Sequence, residues 1–364
     1  MRTVAVPLNN GRPYEIVVGS PLESLGRSLG PLIKGRRALV VSAGPVARRY
    51  AKPLLNGLKA AGYAARLALM PDGERHKTLA VVGRLYREAL RAGLDRRCPV
   101  VALGGGVVGD VAGFVAATFM RGVPLIHCPT TLLAMVDSSI GGKTGVDLPD
   151  GKNLVGAFWQ PRLVWADLAT LKSLPDRQWR TGVAEMLKYG WIDRRWDVGL
   201  DVATVDLKRI RTDLGLLESA VVKAVAAKAG VVARDERETN GERELLNLGH
   251  TFGHALETAT NYRTYTHGEA ISVGMAAAAR LAAALGHLDP AGVAEIESTL
   301  SHWGLPVRAR RKIARGKLMT AMSRDKKNVN GQFRFVVPTR EGRARAVEGV
   351  PAARVDRTLR EVGL

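Results

Sequence analysis

The stretch from Pro99 to Asn153 limits what this chain can fold into more than any other. Val100-Val101-Ala102-Leu103 has the length and the apolar continuity of a buried parallel strand. It runs straight into Gly104-Gly105-Gly106-Val107-Val108-Gly109-Asp110, followed by a small-residue helical stretch from Val111 to Phe119. Strand, glycine turn and helix in that order build a cradle where backbone N–H groups and a helix N-terminus can face a pyrophosphate. Gly104, Gly106 and Gly109 satisfy G-x-G-x-x-G, but a tight turn between two packed elements would satisfy it equally well. A second strand, Pro124 to Cys128, leads into Pro129-Thr130-Thr131 and then a polar loop holding Asp137, Ser138, Lys143, Lys152 and Asn153. So dense a run of glycine, hydroxyl, carboxylate and ammonium reads as a site.

Upstream, strand-like runs at Tyr14–Val18, Ala38–Ser42 and Ala65–Leu69 alternate with helical ones at Val46–Ala61 and Leu79–Ala92. Alternation of this kind predicts an α/β domain with a parallel sheet, ending with a strand at Leu163–Asp167. Ser173-Leu174-Pro175-Asp176 resembles a helix start, with Ser173 as its cap. From there to about Leu300 the apolar spacing is helical, with one β-like segment at Phe333–Val337. The expected division is an α/β domain over residues 1–172 and an α-helical domain over residues 173–364.

With 364 residues and 46% hydrophobic content, each domain can bury its own core. The opening MRTVAVPLNN has no apolar segment with a cleavage site, and Ile271–Leu285 is too short and too interrupted to span a bilayer. Cys98 and Cys128 form no paired-ligand motif, which fits a reducing compartment, so a cytoplasmic protein without membrane attachment is expected. The net charge of +20 suits either a nucleic-acid surface or a cleft for a multiply anionic small molecule. Aromatics are only 5%, and no basic stripe is interleaved with them. Nucleic acid is therefore not the expected partner.

The helical half carries further chemistry. Glu185 and Lys188 share a helical face, as do His250 and His254 in NLGHTFGHALE. His267, in Thr266-His267-Gly268-Glu269, opens the next helix. One carboxylate with two imidazoles, His250 and His267, suits an open zinc site. A buried, hydrogen-bonded histidine is the ordinary alternative for any one of them, and spacing alone does not show that they converge.

Taken together, GGGVVGDVAGF, FMRGVPLIHCPTTLLAMVDSSIGGKTGVD, GKNLVGAF, GVAEMLKYG, LLNLGHTFGHALE and THGEAISVGM resemble the signature blocks of the 3-dehydroquinate synthase family. The likeness runs from about Ala38 to Pro338, in the family's order. It implies a nucleotide-binding α/β domain, an α-helical domain, a cleft between them and a homodimer. It also implies bound NAD+ and one divalent metal, zinc, with cobalt expected to substitute. The implied reaction converts 3-deoxy-D-arabino-heptulosonate 7-phosphate to 3-dehydroquinate and phosphate. Oxidation by NAD comes first, then phosphate elimination, return of the hydride and an intramolecular aldol closure.

Carried onto this sequence, the resemblance makes Glu185, His250 and His267 the metal ligands. It places NAD on Asp72, Gly73, Glu74 and Lys77, with Glu74 and Lys77 on a ribose, and its pyrophosphate on Gly105, Gly106, Val107, Val108, Gly109 and Asp110. Thr130, Thr131, Lys143 and Lys152 fall near the nicotinamide half, and Ser138 also falls to the cofactor. Thr170, Leu171, Lys172 and Ser173 also line the cofactor, a role that competes with Ser173 as a helix cap. Substrate and catalysis fall to Arg121, Asp137, Lys143, Lys152, Asn153, Lys188, Lys228, Arg243, Asn247, His254 and Lys326, the last in Asp325-Lys326-Lys327. Such a basic set suits a sugar acid carrying carboxylate and phosphate.

One stretch departs from the family. Where it usually has a threonine, an aspartate and a nearby asparagine on the cofactor, this chain reads Val41-Ser42-Ala43-Gly44-Pro45. Weaker retention of NAD is the expected consequence. The competing readings are a sister sugar-phosphate cyclase, a metal-dependent alcohol dehydrogenase and a nucleic-acid binder. His254 argues against the cyclase that takes sedoheptulose 7-phosphate.

Overall fold

The computed structural model describes residues 1–8, 11–323 and 333–364, which pack as two compact units. The first comprises Met1–Leu174 with Val225–Arg237, and the second Pro175–Ala224 with Glu238–Leu364.

Among the described residues the first unit has nine strands: β1 (Arg2–Val6), β2 (Tyr14–Val18), β3 (Arg37–Ala43), β4 (Ala64–Met70), β5 (Val100–Gly104), β6 (Leu125–Pro129), β7 (Lys143–Leu148), β8 (Gly151–Phe158) and β9 (Leu163–Ala166). Seven of them form a sheet in the order β1-β2-β9-β6-β5-β3-β4. Within it β1 runs antiparallel to β2 and every other pair is parallel. Helices α1 (Leu25–Leu29), α2 (Gly44–Ala60), α3 (Leu79–Arg91) and α4 (Gly106–Thr118) link the strands. Strand alternation divides the core between the two faces. Leu39, Val41, Val100 and Ala102 pack with residues of α3 and α4. Val40, Val101 and Leu103 pack with residues of α1 and α2. Every residue of β5 and β6 is buried, as expected of central parallel strands covered on both faces.

Three local expectations are corrected. The loop holding Lys143, Lys152 and Asn153 is largely an antiparallel hairpin, β7 with β8, closed at Leu148↔Gly151. Its strands lack a clean apolar alternation, which hid them, although Pro149-Asp150-Gly151 is a turn signal. β1 lay unrecognised in the first residues. Ser173 is not a cap: the next helix begins at Asp176 with Pro175 in the cap position, beyond reach of the Ser173 hydroxyl. That hydroxyl lies 2.6 Å from the hydroxyl of Tyr50.

β6 also carries His127 between hydrophobic layers, 5% exposed. Burial disfavours its charged form and lowers its pKa from 6.5 to about 4. The unfolded chain therefore binds a proton that the folded chain refuses. Stability from this group is complete above about pH 6.5 and is lost as pH falls toward 4. Replacing His127 with leucine is expected to flatten the fall in unfolding free energy across that window, by roughly 3 kcal/mol in total. Denaturant titrations of both proteins at several pH values check this, and parallel pH curves would refute it.

The second unit is helical: α5 (Asp176–Ile192), α6 (Leu207–Thr212), α7 (Leu214–Arg234, counted to the first unit from Val225), α8 (His250–Ala259), α9 (His267–Ala284), α10 (Pro290–His302), α11 (Arg315–Ser323) and α12 (Ala352–Glu361). A two-stranded sheet, β10 (Phe335–Val337) with β11 (Arg345–Val347), joins them. Most of α9 is buried, and its alanines and glycines let neighbours come close. A Cβ on Gly274 would collide with the Gly249 carbonyl of the turn into α8, and one on Gly268 with the backbone of Thr181 in α5. Gly249 itself has φ +78°, a conformation glycine adopts without strain. These two approaches lock α5, α8 and α9 together. Among the described residues, no helix is long and apolar enough to cross a membrane.

Candidate functional site

In the first unit the chain leaves β3 toward β4 and leaves β5 toward β6, on opposite sides. The carboxyl ends of β3 and β5 thus form a topological switch point, where open α/β sheets place their ligands. Gly104 ends β5, Gly105 takes the cap position, and α4 begins at Gly106 with no side chain capping it. Its first N–H groups, those of Gly106, Val107 and Val108, have no partner one turn back within the helix. The crowding around them explains the glycines. A Cβ on Gly105 would lie 3.1 Å from the Thr131 methyl, and one on Gly106 3.0 Å from the Ser138 hydroxyl. At the end of β3, Ala43 precedes α2 without a side-chain cap, and the Ser42 hydroxyl turns inward to donate to the Leu103 carbonyl at 2.8 Å.

Lys77 organises the surroundings of this loop. It is 3% exposed, and its ammonium lies 2.5 Å from Asp110 on α4 and donates to the Asn153 side chain on β8. Burial works against its charge, but Asp110, with Glu74 and Asp147 nearby, outweighs burial and raises its pKa. Asn153, at φ +54°, donates its N–H to Asp147 at 2.9 Å, and Lys152 pairs with Glu74 at 2.9 Å. Glu74, Lys77, Asp110, Lys152 and Asn153 are therefore brought together, although Lys77 is committed to protein partners. Asp72 and Gly73 are exposed beside them.

Lys228, on α7, donates to the backbone carbonyl of Asp137 at 2.7 Å and to its carboxylate at 2.5 Å. Thr130 holds a buried hydroxyl with no partner among the described residues. The Thr131 hydroxyl accepts from the N–H of Ala134 at 3.1 Å. Thr170 and Leu171 are buried and Lys172 is exposed, as are Lys143 and Arg121. Arg121 follows Met120 in a left-handed turn, with φ values of +63° and +50°.

In the second unit Glu185, His250 and His267 converge, each from a different helix. Glu185 is fully buried on α5, while His250 and His267 are the first residues of α8 and α9. A capping box fixes the start of α9: the Thr266 hydroxyl accepts from the Glu269 N–H, and the Glu269 carboxylate accepts from the Thr266 N–H at 2.8 Å. Arg177 and Arg310 hold that same carboxylate, at 2.5 and 2.9 Å. So anchored, His267 Nε2 lies 3.4 Å from Glu185 Oε1, and His250 Nε2 lies 3.8 Å from it. The donor atoms of all three fall within 4.8 Å of one another. A tetrahedral zinc with bonds near 2.0–2.1 Å needs donors about 3.3 Å apart, so the set fits a divalent ion after small adjustments. Burial opposes a proton on His267, but Glu185 and Glu257 outweigh it and raise the pKa to about 10. An ion between these groups would take that proton's place.

Lys188, one turn along α5 and 1% exposed, pairs with Glu185 and donates to the Leu246 carbonyl at 2.7 Å. Asn247 follows, with a buried side-chain nitrogen that has no partner among the described residues. Arg243 is buried in the same segment. His254 is exposed, its ring 5.1 Å from that of His250 and 6.2 Å from that of His267. Lys326 lies outside the described residues.

The sequence reading overlooked Glu257. It is 7% exposed, and its Oε1 lies 3.5 Å from His267 Nδ1. Its helical register with His250 and His254 was the available signal.

Two family models match the chain: the 3-dehydroquinate synthase N-terminal domain over residues 67–181 and the C-terminal domain over residues 182–328. The 3-dehydroquinate synthase of Pelotomaculum thermopropionicum is 49% identical over 352 residues, covering 96% of this chain and 94% of that one. That of Gloeobacter violaceus is 46% identical over 358 residues, covering 98% and 97%. Among solved structures, 2-deoxy-scyllo-inosose synthase complexed with carbaglucose-6-phosphate, NAD+ and Co2+ superposes with a TM-score of 0.87 at 26% identity, over 100% of both chains. The 2-epi-5-epi-valiolone synthase of Streptomyces hygroscopicus subsp. jinggangensis, with NAD+ and Zn2+ bound, gives 0.86 at 26% identity over 98% of both.

Proposed function

The chain belongs to the 3-dehydroquinate synthase family, and on that premise we propose which of its residues serve the family's reaction. It is a phosphate-eliminating lyase of the shikimate route, converting 3-deoxy-D-arabino-heptulosonate 7-phosphate to 3-dehydroquinate and phosphate. The observation that carries the residue assignment is the convergence of Glu185, His250 and His267 from three helices. We assign a divalent ion, zinc, to these residues of the 173–364 domain. We assign NAD to the 1–172 domain, at the switch point beside Gly105, Gly106 and Asp110.

When bound, the metal would supply a Lewis acid for a substrate hydroxyl and NAD a reversible hydride acceptor, so that no net oxidation would result. The protein's own part is to bind and to orient. α4 offers its N-terminal N–H groups to the dinucleotide phosphates, with Thr131 and Ser138 hydroxyls close to the same turn. Lys77 is read here as a clasp that holds Asp110 and Asn153 in place. Substrate contacts are assigned to Arg121, Asp137, Asn153 and Lys228 in the first unit, and to Lys188, Arg243, Asn247 and His254 in the second. The Asn247 amide nitrogen, without a partner among the described residues, is suited to donate to a substrate oxygen. His254, exposed beside the two metal-facing rings, is placed to pass a proton. A cytoplasmic homodimer completes the proposal, with light scattering as its check.

The deciding experiment incubates the purified chain, zinc and NAD+ with the heptulosonate phosphate. Equal amounts of 3-dehydroquinate and inorganic phosphate should form, without accumulation of NADH. Growth of NADH in step with product would mean a simple dehydrogenase. Turnover of sedoheptulose 7-phosphate or glucose 6-phosphate alone would mean a sister cyclase.

A further inference from the structure

An imidazole that binds a metal works with two nitrogens. One meets the ion, and the acceptor facing the other selects the tautomer and aims the ring. His250 has such an acceptor in the backbone, since its Nδ1 lies 3.2 Å from the Leu248 carbonyl. His267 turns its Nδ1 toward a side chain instead, Glu257 Oε1 at 3.5 Å, while its Nε2 faces Glu185. Both rings thus direct Nε2 toward the same carboxylate, and each Nδ1 has an oxygen behind it. Glu257 is buried on α8, and the close packing of Gly249 and Gly274 sets the separation of α8 from α9.

We propose that Glu257 is a positioning residue for the metal, accepting the Nδ1 proton of His267 so that Nε2 presents its lone pair to the ion. The proposal rests on the reading of Glu185, His250 and His267 as ligands and adds an outer carboxylate to them. A buried carboxylate needs donors, and the imidazole N–H of His267 is one that Glu257 has. The negative charge behind the ring makes the imidazole a stronger ligand. His254, Glu257 and His267 also lie close enough to suggest a second metal group. That arrangement would require His267 to give lone pairs from both nitrogens, which a neutral imidazole does not have.

Cobalt binding to the full chain, read from its visible absorption against a competing chelator, tests the role. Glu257→Leu is expected to weaken cobalt binding about 100-fold and Glu257→Gln, which keeps a neutral acceptor, about 10-fold. Both should shift the cobalt spectrum. In chelator, Glu257→Gln should lower the denaturant midpoint only modestly, through its lost pairing with protonated His267, and by less than the loss of cobalt affinity. Parent-like affinity and spectrum in both variants would overturn the proposal. So would affinity losses that only track losses of metal-free stability, or two cobalt ions per chain in the parent. A parent chain that takes up no cobalt would overturn the ligand reading and this proposal together.

Discussion

Replacing His250 with alanine is expected to lower kcat/KM by roughly 10³-fold or more while leaving the fold intact. A catalytic metal supplies several kcal/mol to the stabilisation of developing charge, and an ion held by three protein groups does not survive the loss of one at full occupancy. The fold should tolerate the change because His250 is the first residue of α8, where alanine is a good helix former, and its side chain is partly exposed. The Leu248 carbonyl that faces its Nδ1 belongs to the turn just before the helix. Phosphate release, measured with and without added zinc, reads the activity. Denaturant midpoints in chelator read the fold. Stripping the parent should abolish turnover, and zinc or cobalt should restore it, whereas neither ion should rescue the variant. Full turnover by the metal-free parent, or by His250→Ala, would remove the metal from the mechanism.

The second large effect falls on stability. Lys188 and Glu185 are both buried, and among the described residues the ammonium meets the carboxylate and the Leu246 carbonyl. In the metal-free protein, Lys188→Met leaves the Glu185 carboxylate in a dry site without its nearest cation. Losing one member of a buried pair costs about 3–5 kcal/mol, far above the typical value of an exposed pair. A bound divalent ion beside Glu185 supplies another positive charge, so the loss should shrink when zinc is present. Chemical denaturation in chelator and in zinc gives the two values to compare. A loss below about 1 kcal/mol in chelator would mean that the pair is not the main charge balance of this site.

Local sequence patterns determined a good deal here. β5, the glycine turn and α4 are legible because apolar continuity, glycine and helical periodicity act within a few residues of one another. The entry to α9 at His267 is legible for the same reason, since the Thr266 and Glu269 capping contacts span a single turn, and the spacing of His250 and His254 puts both on one helical face. The family blocks added the ligand assignment, which spacing alone left open.

What the tertiary structure decided involves partners far apart in the chain. The β7–β8 hairpin is defined by pairing across strands whose glycines, Gly145 and Gly156, face backbone too close for any side chain, and no apolar alternation announced it. Lys228 meets Asp137 across 91 residues of sequence, through a helix that periodicity alone would place with its helical neighbours. Ser173 lost its expected capping role because a proline occupies the cap and the hydroxyl found Tyr50 instead. Glu257 could be read onto one face of α8, but not onto His267, because that contact depends on how closely α8 packs against α9. Residue type and spacing set which groups could act; the packing of glycine against backbone set which of them meet, since a contact of 3–4 Å depends on helix separation, a quantity no local pattern encodes.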